Sequence, residues 1–174
     1  MSDSLTKYSD RPTKALVGSV PFFAQDELQC GPASLAMVLN WAGVNVAPSD
    51  LSPEVFTPGL KGSLQASLIG SARRHGRVAY PIKGFDDLVA EISAGHPAIV
   101  LVNLGFAWFP QWHYAVAIGY DLDNEVVILH SGLTANEVMS LWTFNNIWRR
   151  SQYWGLLVLP PDQMPSSPAP LPRS

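Results

Sequence analysis

The chain contains a single cysteine, Cys30, which lies where the sequence predicts the start of a helix. Pro32 suits the first turn of that helix, because a helix has no partner there for the N–H group that proline lacks. Unpaired N–H groups and the helix dipole favour a thiolate over a thiol at such a position. The thiolate is the reactive form, so Cys30 is a candidate nucleophile. A lone buried cysteine also fits an ordinary core residue, and other residues have to decide between the two.

A cysteine nucleophile needs a base, which is usually a histidine. Two of the four histidines, His75 and His96, lie at a predicted helix end and in a connection, where structural or solvent-facing roles are expected. His113 opens a predicted strand after an aromatic-rich loop and is the candidate base. His130 closes the next strand. If residues 121–124 turn the chain back, antiparallel pairing returns His130 to His113, where its ring can orient the base.

The elements that must position these side chains are helical in the first half and extended in the second, which predicts an α+β fold. The predicted helices are 33–41, 64–75 with Ser63 as N-cap, 85–93, and a short one from Thr143 through 148. The predicted strands are 98–103, 114–120, 126–129 and 153–159. Gly43 and Gly76 follow the first two helices, as glycines that stop helices commonly do.

Composition bounds the class of protein. With 174 residues, 47% of them hydrophobic and 14% charged, the chain suits one folded domain. A net charge of −3 without a basic run gives no electrostatic footprint for nucleic acid. No apolar stretch reaches the roughly 20 residues that span a bilayer. A cytoplasmic location is expected from the sequence as it stands, and an exported or periplasmic one if a signal was removed.

The expected organisation is a flexible lead-in at residues 1–18, a packed domain at 19–159 and a flexible, proline-rich tail at 160–174. Proline fixes φ and removes a backbone donor, which is why the tail is expected to be extended. No spacing of Cys, His, Asp and Glu suggests a closed set of metal ligands, so neither a metal nor another cofactor is expected.

Two segments carry a resemblance to a known family. From Gln25 the chain reads Gln-Asp-Glu-Leu-Gln-Cys-Gly-Pro-Ala-Ser-Leu-Ala-Met-Val-Leu, and from His113 it reads His-Tyr-Ala-Val-Ala-Ile-Gly-Tyr-Asp. These motifs closely resemble the bacteriocin-processing cysteine peptidases, which cleave double-glycine leaders and belong to the papain-like group. The resemblance covers about residues 20–159 and implies a papain-like fold with the nucleophile at the start of the central helix. The chain shows no exporter motif, so it resembles a stand-alone branch.

The resemblance also implies roles for site residues. Cys30 matches the nucleophile and His113 the base. A glutamine before the cysteine supplies an oxyanion donor in such enzymes, and Gln25 is the first match, with Gln29 as the alternative. The geometric reason is that a side-chain N–H and the backbone N–H of Cys30 must converge on one oxygen.

The third catalytic position departs from the family. An aspartate usually ends the strand after the base, but this chain reads Ile-Leu-His-Ser-Gly over residues 128–132. His130 is the first choice for orienting His113. Ser131, Asp121 or no third group at all are the alternatives. A neutral imidazole or hydroxyl stabilises an imidazolium less than a carboxylate does.

The expected function is therefore that of a thiol-dependent peptidase acting on a peptide or protein substrate, with cleavage after Gly-Gly in leader peptides as the specific form. The aromatic loop that includes Phe106, Trp108, Phe109 and Trp112 either forms walls of a narrow groove or is ordinary packing. The alternatives are a papain-like domain that binds peptides without cutting them, and an acyl-transfer or deamidating enzyme on the same fold. The oligomeric state stays open.

Overall fold

The structure, a computed structural model, describes residues 11–24, 30–55 and 61–167, and the side chains of 61–64 are not described. In chain order the elements are β1 (Lys14–Leu16), α1 (Cys30–Trp41), α2 (Pro48–Val55), α3 (Lys61–Arg74), β2 (Val78–Lys83), α4 (Phe85–Ser93), β3 (Ala98–Asn103), β4 (Trp112–Asp121), β5 (Val126–Ser131), β6 (Thr134–Ser140), α5 (Leu141–Trp148) and β7 (Trp154–Leu159). A 3-10 turn, Arg149–Ser151, joins α5 to β7.

The strands form one antiparallel sheet in the order β2-β7-β3-β4-β5-β6, and β1 pairs with the last three residues of β4. Helices cover both faces of this sheet. α1, α2 and α3 pack into one buried cluster, while α4 and α5 pack into the other. β3 is buried along its whole length because alternate residues enter each cluster, which explains its continuous apolar run. The predicted α+β, papain-like architecture is confirmed.

Helix α1 is the central helix, and every residue from Cys30 to Leu39 is buried. It begins at Cys30, three residues before the predicted start at Ala33. Pro32 stands in its first turn, where the missing N–H group leaves no hydrogen bond unmade. The nucleophile candidate is therefore the first residue of a helix packed against the sheet.

Four elements were not predicted, and each carries a weak or contrary local signal. β6 is a mostly exposed edge strand with polar residues, and α2 contains Pro53. β2 contains Pro81, which an edge strand tolerates because one side of its backbone needs no partner. β1 has only three residues. The cap of α5 is also different from the prediction: Ser140, rather than Thr143, accepts the N–H of Thr143.

The packed body extends beyond the predicted boundaries at both ends. In the predicted lead-in, β1 pairs with β4, and the carbonyl of Pro12 accepts a hydrogen bond from the Tyr120 hydroxyl at 2.9 Å. In the predicted tail, the backbone N–H groups of Ser166 and Ser167 both donate to Glu91. Backbone pairing therefore holds part of the predicted lead-in against the domain, and the buried Glu91 carboxylate holds part of the predicted tail. The composition of both segments had predicted flexibility.

Candidate active site

The start of α1 lies against the start of β4. Cys30 is 8% exposed, and a Cβ atom added to Gly31 would lie 3.9 Å from the ring of Tyr114. Tyr114 follows His113 in β4. The first turn of the helix therefore meets the strand segment that carries the candidate base.

Tyr114 is a buried phenol close to Cys30. Burial, and next a negative charge on Cys30, raise the pKa of the Tyr114 phenol far above its ordinary value. The ring meets Trp154 edge-on, with the centroids 6.0 Å apart. Its hydroxyl is buried and has no hydrogen-bond partner among the residues that the structure describes. The phenol thus stays protonated and lies within electrostatic reach of the Cys30 sulfur.

His113 is held by Ser131. The Nε2 atom of His113 lies 2.9 Å from the Oγ atom of Ser131, and the imidazole is 8% exposed. When Nε2 carries the proton, the serine hydroxyl accepts it, and the lone pair of the ring then lies on Nδ1. Ser131 occupies the place that the sequence analysis assigned first to His130.

His130 does not orient His113, because both of its ring nitrogens are engaged elsewhere. Nε2 donates to the carbonyl of Val20 at 3.0 Å, and Nδ1 accepts the backbone N–H of Asn136 at 3.2 Å. The Phe22 ring lies against the imidazole, 5.4 Å between centroids. These contacts make His130 a clamp on the segment that leads towards Cys30.

The register of the sheet explains why His130 does not face His113. His130 faces Val116, three residues from His113. Side chains alternate along a strand, so residues three apart point to opposite faces. His130 therefore shares the face of Val116, while Ser131 falls on the face of His113.

Asp121, another alternative for the third position, lies at the far end of β4. It pairs with Val126, and it lies eight positions along the strand from His113, a distance of about 26 Å. Hydrogen bonds from the side chain and backbone of Asn124 hold the pKa of Asp121 below its ordinary value. Its carboxylate organises the β4–β5 turn.

Several other predicted features lie apart from this site or outside the described residues. His96 contacts Glu91, and His75 lies 3.6 Å from Glu54. Gln25 and Gln29 fall outside the described residues. The described segment ends at residue 24, four residues after the Val20 carbonyl that His130 holds.

Asn103 is a buried residue near the candidate site that the sequence analysis did not single out. Its side chain binds the loop before His113, through Gly105, Phe106 and Gln111. The available signal was an asparagine at a strand end two residues before a glycine, since asparagine side chains commonly bind nearby backbone in turns.

Over the described ranges, no group of three or more His, Cys, Asp or Glu residues is arranged to hold a metal ion. None of the helices in that part of the chain has both the length and the apolar character that crossing a membrane requires.

Comparison with known proteins gives one family. Residues 17–155 match the Peptidase_C39 like family, and no curated protein matches the chain. Solved structures show the same fold. A crystal structure from Bacillus anthracis described as a C39-like peptidase is 18% identical, has a TM-score of 0.70, and the match covers 86% of this chain and 99% of that one.

Two other structures belong to transporter-linked peptidases. The peptidase domain of Streptococcus ComA, a bifunctional ABC transporter involved in quorum sensing, is 24% identical with a TM-score of 0.66, and the match covers 82% of this chain and 99% of that one. A double-glycine-motif protease from an AMS/PCAT transporter, in complex with the leader peptide, is 20% identical with a TM-score of 0.65. The match covers 84% of this chain and 94% of that one.

Proposed function

The chain belongs to the Peptidase_C39 like family, and from that premise we propose that it is a cysteine peptidase with Cys30 as nucleophile and His113 as base. The observation that carries the proposal is the contact between His113 and Ser131 at the end of the sheet where α1 begins. Thiol activation requires a histidine close to the cysteine with one ring nitrogen held in place, and the hydrogen bond to Ser131 supplies the second of these conditions.

The proposed reaction has two stages. The thiol proton of Cys30 passes to Nδ1 of His113, and the thiolate attacks the peptide carbonyl to form a tetrahedral intermediate. The intermediate collapses when His113 returns the proton to the amine, which leaves with the C-terminal product. The acyl group of the substrate then remains on Cys30 as a thioester. Water, deprotonated by His113, attacks this thioester and forms a second tetrahedral intermediate. Collapse of that intermediate releases the carboxylic acid and restores Cys30.

Two groups are proposed to stabilise the oxyanion of each intermediate. The first is the backbone N–H of Cys30, which lies at the start of α1 beside the sulfur that attacks the carbonyl. The side chain of Gln25, with Gln29 as alternative, supplies the second donor. Donors of this kind contribute most because they are already oriented before charge develops.

Ser131 is proposed to fix the tautomer of His113. A hydroxyl that accepts Nε2–H keeps the lone pair on Nδ1, which the base needs. It supplies no negative charge, so it stabilises the imidazolium less than the aspartate usual in the family. We therefore expect a smaller population of the thiolate–imidazolium pair than a carboxylate would give.

The proposed substrate is a peptide cleaved after Gly-Gly. The support is the fold shared with a double-glycine-motif protease whose structure contains a leader peptide. Glycine lets the peptide backbone lie close to the walls of a narrow groove, because it has no Cβ. A narrow groove near Cys30 would therefore be sufficient to select a Gly-Gly pair.

The rate of Cys30 alkylation by iodoacetamide, measured across pH, tests the proposed pairing of Cys30 with His113. Incubation with Gly-Gly peptides, followed by mass spectrometry, tests cleavage. We expect an alkylation midpoint below the unperturbed thiol value of about 8.5, moved towards that value by His113→Ala. Cleavage should disappear in Cys30→Ala. A midpoint at the unperturbed value that His113→Ala leaves unchanged would contradict the Cys–His pair.

A domain that binds peptides without cutting them is the second candidate, and the neutral Ser131 favours it. Such a domain would bind Gly-Gly peptides with the same affinity in wild type and Cys30→Ala, without any product. An acyl-transfer enzyme would instead join the acyl group to an added amine, which mass spectrometry distinguishes from hydrolysis.

A further inference from the structure

The connection between β3 and β4, residues 104–111, is a small hairpin that exposes aromatic rings; we call it the aromatic arm. Phe106 and Phe109 exchange backbone hydrogen bonds of 3.0 and 3.1 Å around a two-residue turn. Trp108 is 82% exposed, and its ring is stacked on that of Phe106 at 5.2 Å with an interplanar angle of 8°. Phe106 and Phe109 are also largely exposed. The rings pack mainly on one another and not into the core.

The arm is rigidly attached to the sheet. The Asn103 side chain is buried, and its Oδ1 accepts the N–H groups of Gly105 and Gln111, both at 2.9 Å. Its Nδ2 donates to the carbonyl of Phe106 at 3.4 Å. One amide therefore joins both ends of the arm, which keeps the exposed rings in a fixed place.

Two further features stabilise the base of the arm. Arg150 donates to the carbonyl of Gly105 at 2.6 Å. A Cβ atom on Gly105 would lie 2.5 Å from the carbonyl oxygen of Phe109, so only glycine allows this close approach. A loop with no function seldom combines such constraints with exposed aromatic rings, because the exposed surface costs free energy in water.

The arm lies at the end of the sheet that carries the candidate site. β3 ends and β4 begins there, with Asn103 paired to Trp112 next to His113. The β5–β6 turn lies at the same end and follows Ser131, and in it Leu133 is 80% exposed. Two exposed apolar elements thus flank the contact between His113 and Ser131.

We propose that the aromatic arm binds an apolar side chain of the peptide substrate and that Asn103 is its positioning residue. This proposal rests on the proposed peptidase function. The occupant is apolar because residues 104–112 carry no charged side chain. It belongs to the substrate because the arm runs directly into the strand of His113, so a peptide that reaches the base passes beside the rings.

Binding is measured with Cys30→Ala protein, so that the arm is tested even if no cleavage occurs. The probes are a fluorescent Gly-Gly peptide that carries Leu and Phe near the pair, and its counterpart with Ser at those positions. We expect the apolar peptide to bind more tightly than the Ser peptide by about tenfold or more. Trp108→Ala and Phe109→Ala should remove most of that difference.

Trp142→Ala is the matched control. Trp142 is 69% exposed, like the rings of the arm, but it lies in α5 next to Ser140, which pairs with Val126 at the opposite end of the sheet. Its removal should leave both affinities unchanged. In active enzyme, Trp108→Ala should raise KM for the apolar peptide and leave kcat nearly constant, because the arm does not touch the reacting atoms.

The role of Asn103 is tested by two substitutions. Asn103→Ala removes the acceptor of both N–H groups and should lower the affinity for the apolar peptide. Asn103→Asp keeps that acceptor and should restore it. If Asn103→Ala lowers only the melting temperature and not the affinity, the positioning role is excluded.

Several outcomes would overturn the proposal and leave the peptidase function untouched. Equal affinity for the two peptides, or the same loss in Trp142→Ala and Trp108→Ala, would each exclude a substrate role for the arm. No binding of either peptide would contradict both that role and the proposed Gly-Gly specificity. Loss of binding to phosphatidylglycerol vesicles in Trp108→Ala, with unchanged peptide affinity, would assign the arm to a membrane surface instead. Conversely, arm-dependent binding without cleavage by wild type would contradict only the peptidase function.

Discussion

The Oγ atom of Ser131 lies 2.9 Å from Nε2 of His113, the proposed base, and provides a hydrogen-bond partner that carries no formal charge. A carboxylate at that position would attract the positive charge of the imidazolium. A hydroxyl only accepts a hydrogen bond from the ring N–H, which stabilises that charge less. The reactivity of Cys30 is therefore expected to depend on which of these two groups holds His113.

Ser131→Asp should lower the pH midpoint of Cys30 alkylation, by about one to three pH units, because an adjacent carboxylate stabilises the imidazolium of the pair. Ser131→Ala should raise the midpoint slightly or leave it in place, since only a neutral hydrogen bond is lost. Iodoacetamide rates across pH measure both. An unchanged midpoint in Ser131→Asp would mean that residue 131 does not act on the pair.

His130→Gln tests whether His130 has a structural role or orients His113. The substitution removes the ring that joins the Val20 carbonyl to the Asn136 N–H, and should lower the free energy of unfolding by about 1–3 kcal/mol. The alkylation midpoint should stay where it is in wild type. Urea unfolding measures the first effect. A midpoint that moves as far as in His113→Ala would restore His130 to a catalytic role.

Among the elements, β4 decides the geometry of the site, because it pairs with β1, β3 and β5. Gly119 lies at the irregularity in the β4–β5 ladder, which falls between Ala117 and Gly119. A Cβ atom there would lie 2.9 Å from the side chain of Leu16 and 3.0 Å from the carbonyl of Ala15. Close approach of β1 therefore depends on the absence of a side chain at residue 119.

Gly119→Ala should lower the free energy of unfolding by about 1–3 kcal/mol, because β1 has to move or Leu16 has to change rotamer. Gly18→Ala is the control, since a Cβ atom at residue 18 meets nothing within 4 Å. Denaturant titration compares the two variants. Equal stability of Gly119→Ala and wild type would show that β1 adapts at no cost.

At the scale of the whole molecule, a buried carboxylate, Glu91, ties the C-terminal segment to the domain. Glu91 is fully buried and lies 2.9 Å from Nδ1 of His96, while it accepts N–H groups from Ser166 and Ser167. Burial by itself raises the pKa of Glu91, but the hydrogen bonds from His96, Ser167 and Ser166 outweigh it. The pKa therefore lies below the ordinary 4.5.

A lowered pKa in the folded state means that the Glu91 carboxylate stabilises the fold above about pH 4.5 and loses this effect as the pH falls through the folded value. Glu91→Gln should lower the free energy of unfolding at pH 7 by about 1.5–3 kcal/mol, because hydrogen bonds to a charged acceptor are weakened, and should reduce its decline in acid. Unfolding between pH 7 and pH 3 measures both. The same acid dependence in Glu91→Gln and wild type would contradict this assignment.

A chain that ends at Pro165 should also be less stable, because it lacks both N–H groups that Glu91 accepts. A chain that ends at Ser167 keeps those groups and is the matched control. Thermal unfolding compares the two chains. Equal melting temperatures would show that the tail contacts add nothing to stability.

Local chemistry was sufficient for the parts of the molecule that depend on neighbouring residues. Pro32 in the first turn and apolar spacing predicted α1, and Gly43 and Gly76, which follow α1 and α3, both adopt positive φ. Phe85–Ser93 and Ala98–Asn103 were predicted with the bounds that the structure shows. Motifs near Cys30 and His113 indicated the family that the match over residues 17–155 shows.

Only the tertiary structure decided what depends on register and on distant partners. β1 and β6 have little local preference and form because β4 and β5 offer them edges. The choice between His130 and Ser131 is the sharpest case, since the two residues are adjacent. A shift of one residue along a strand turns a side chain to the other face of the sheet, and sequence spacing does not determine register to that accuracy.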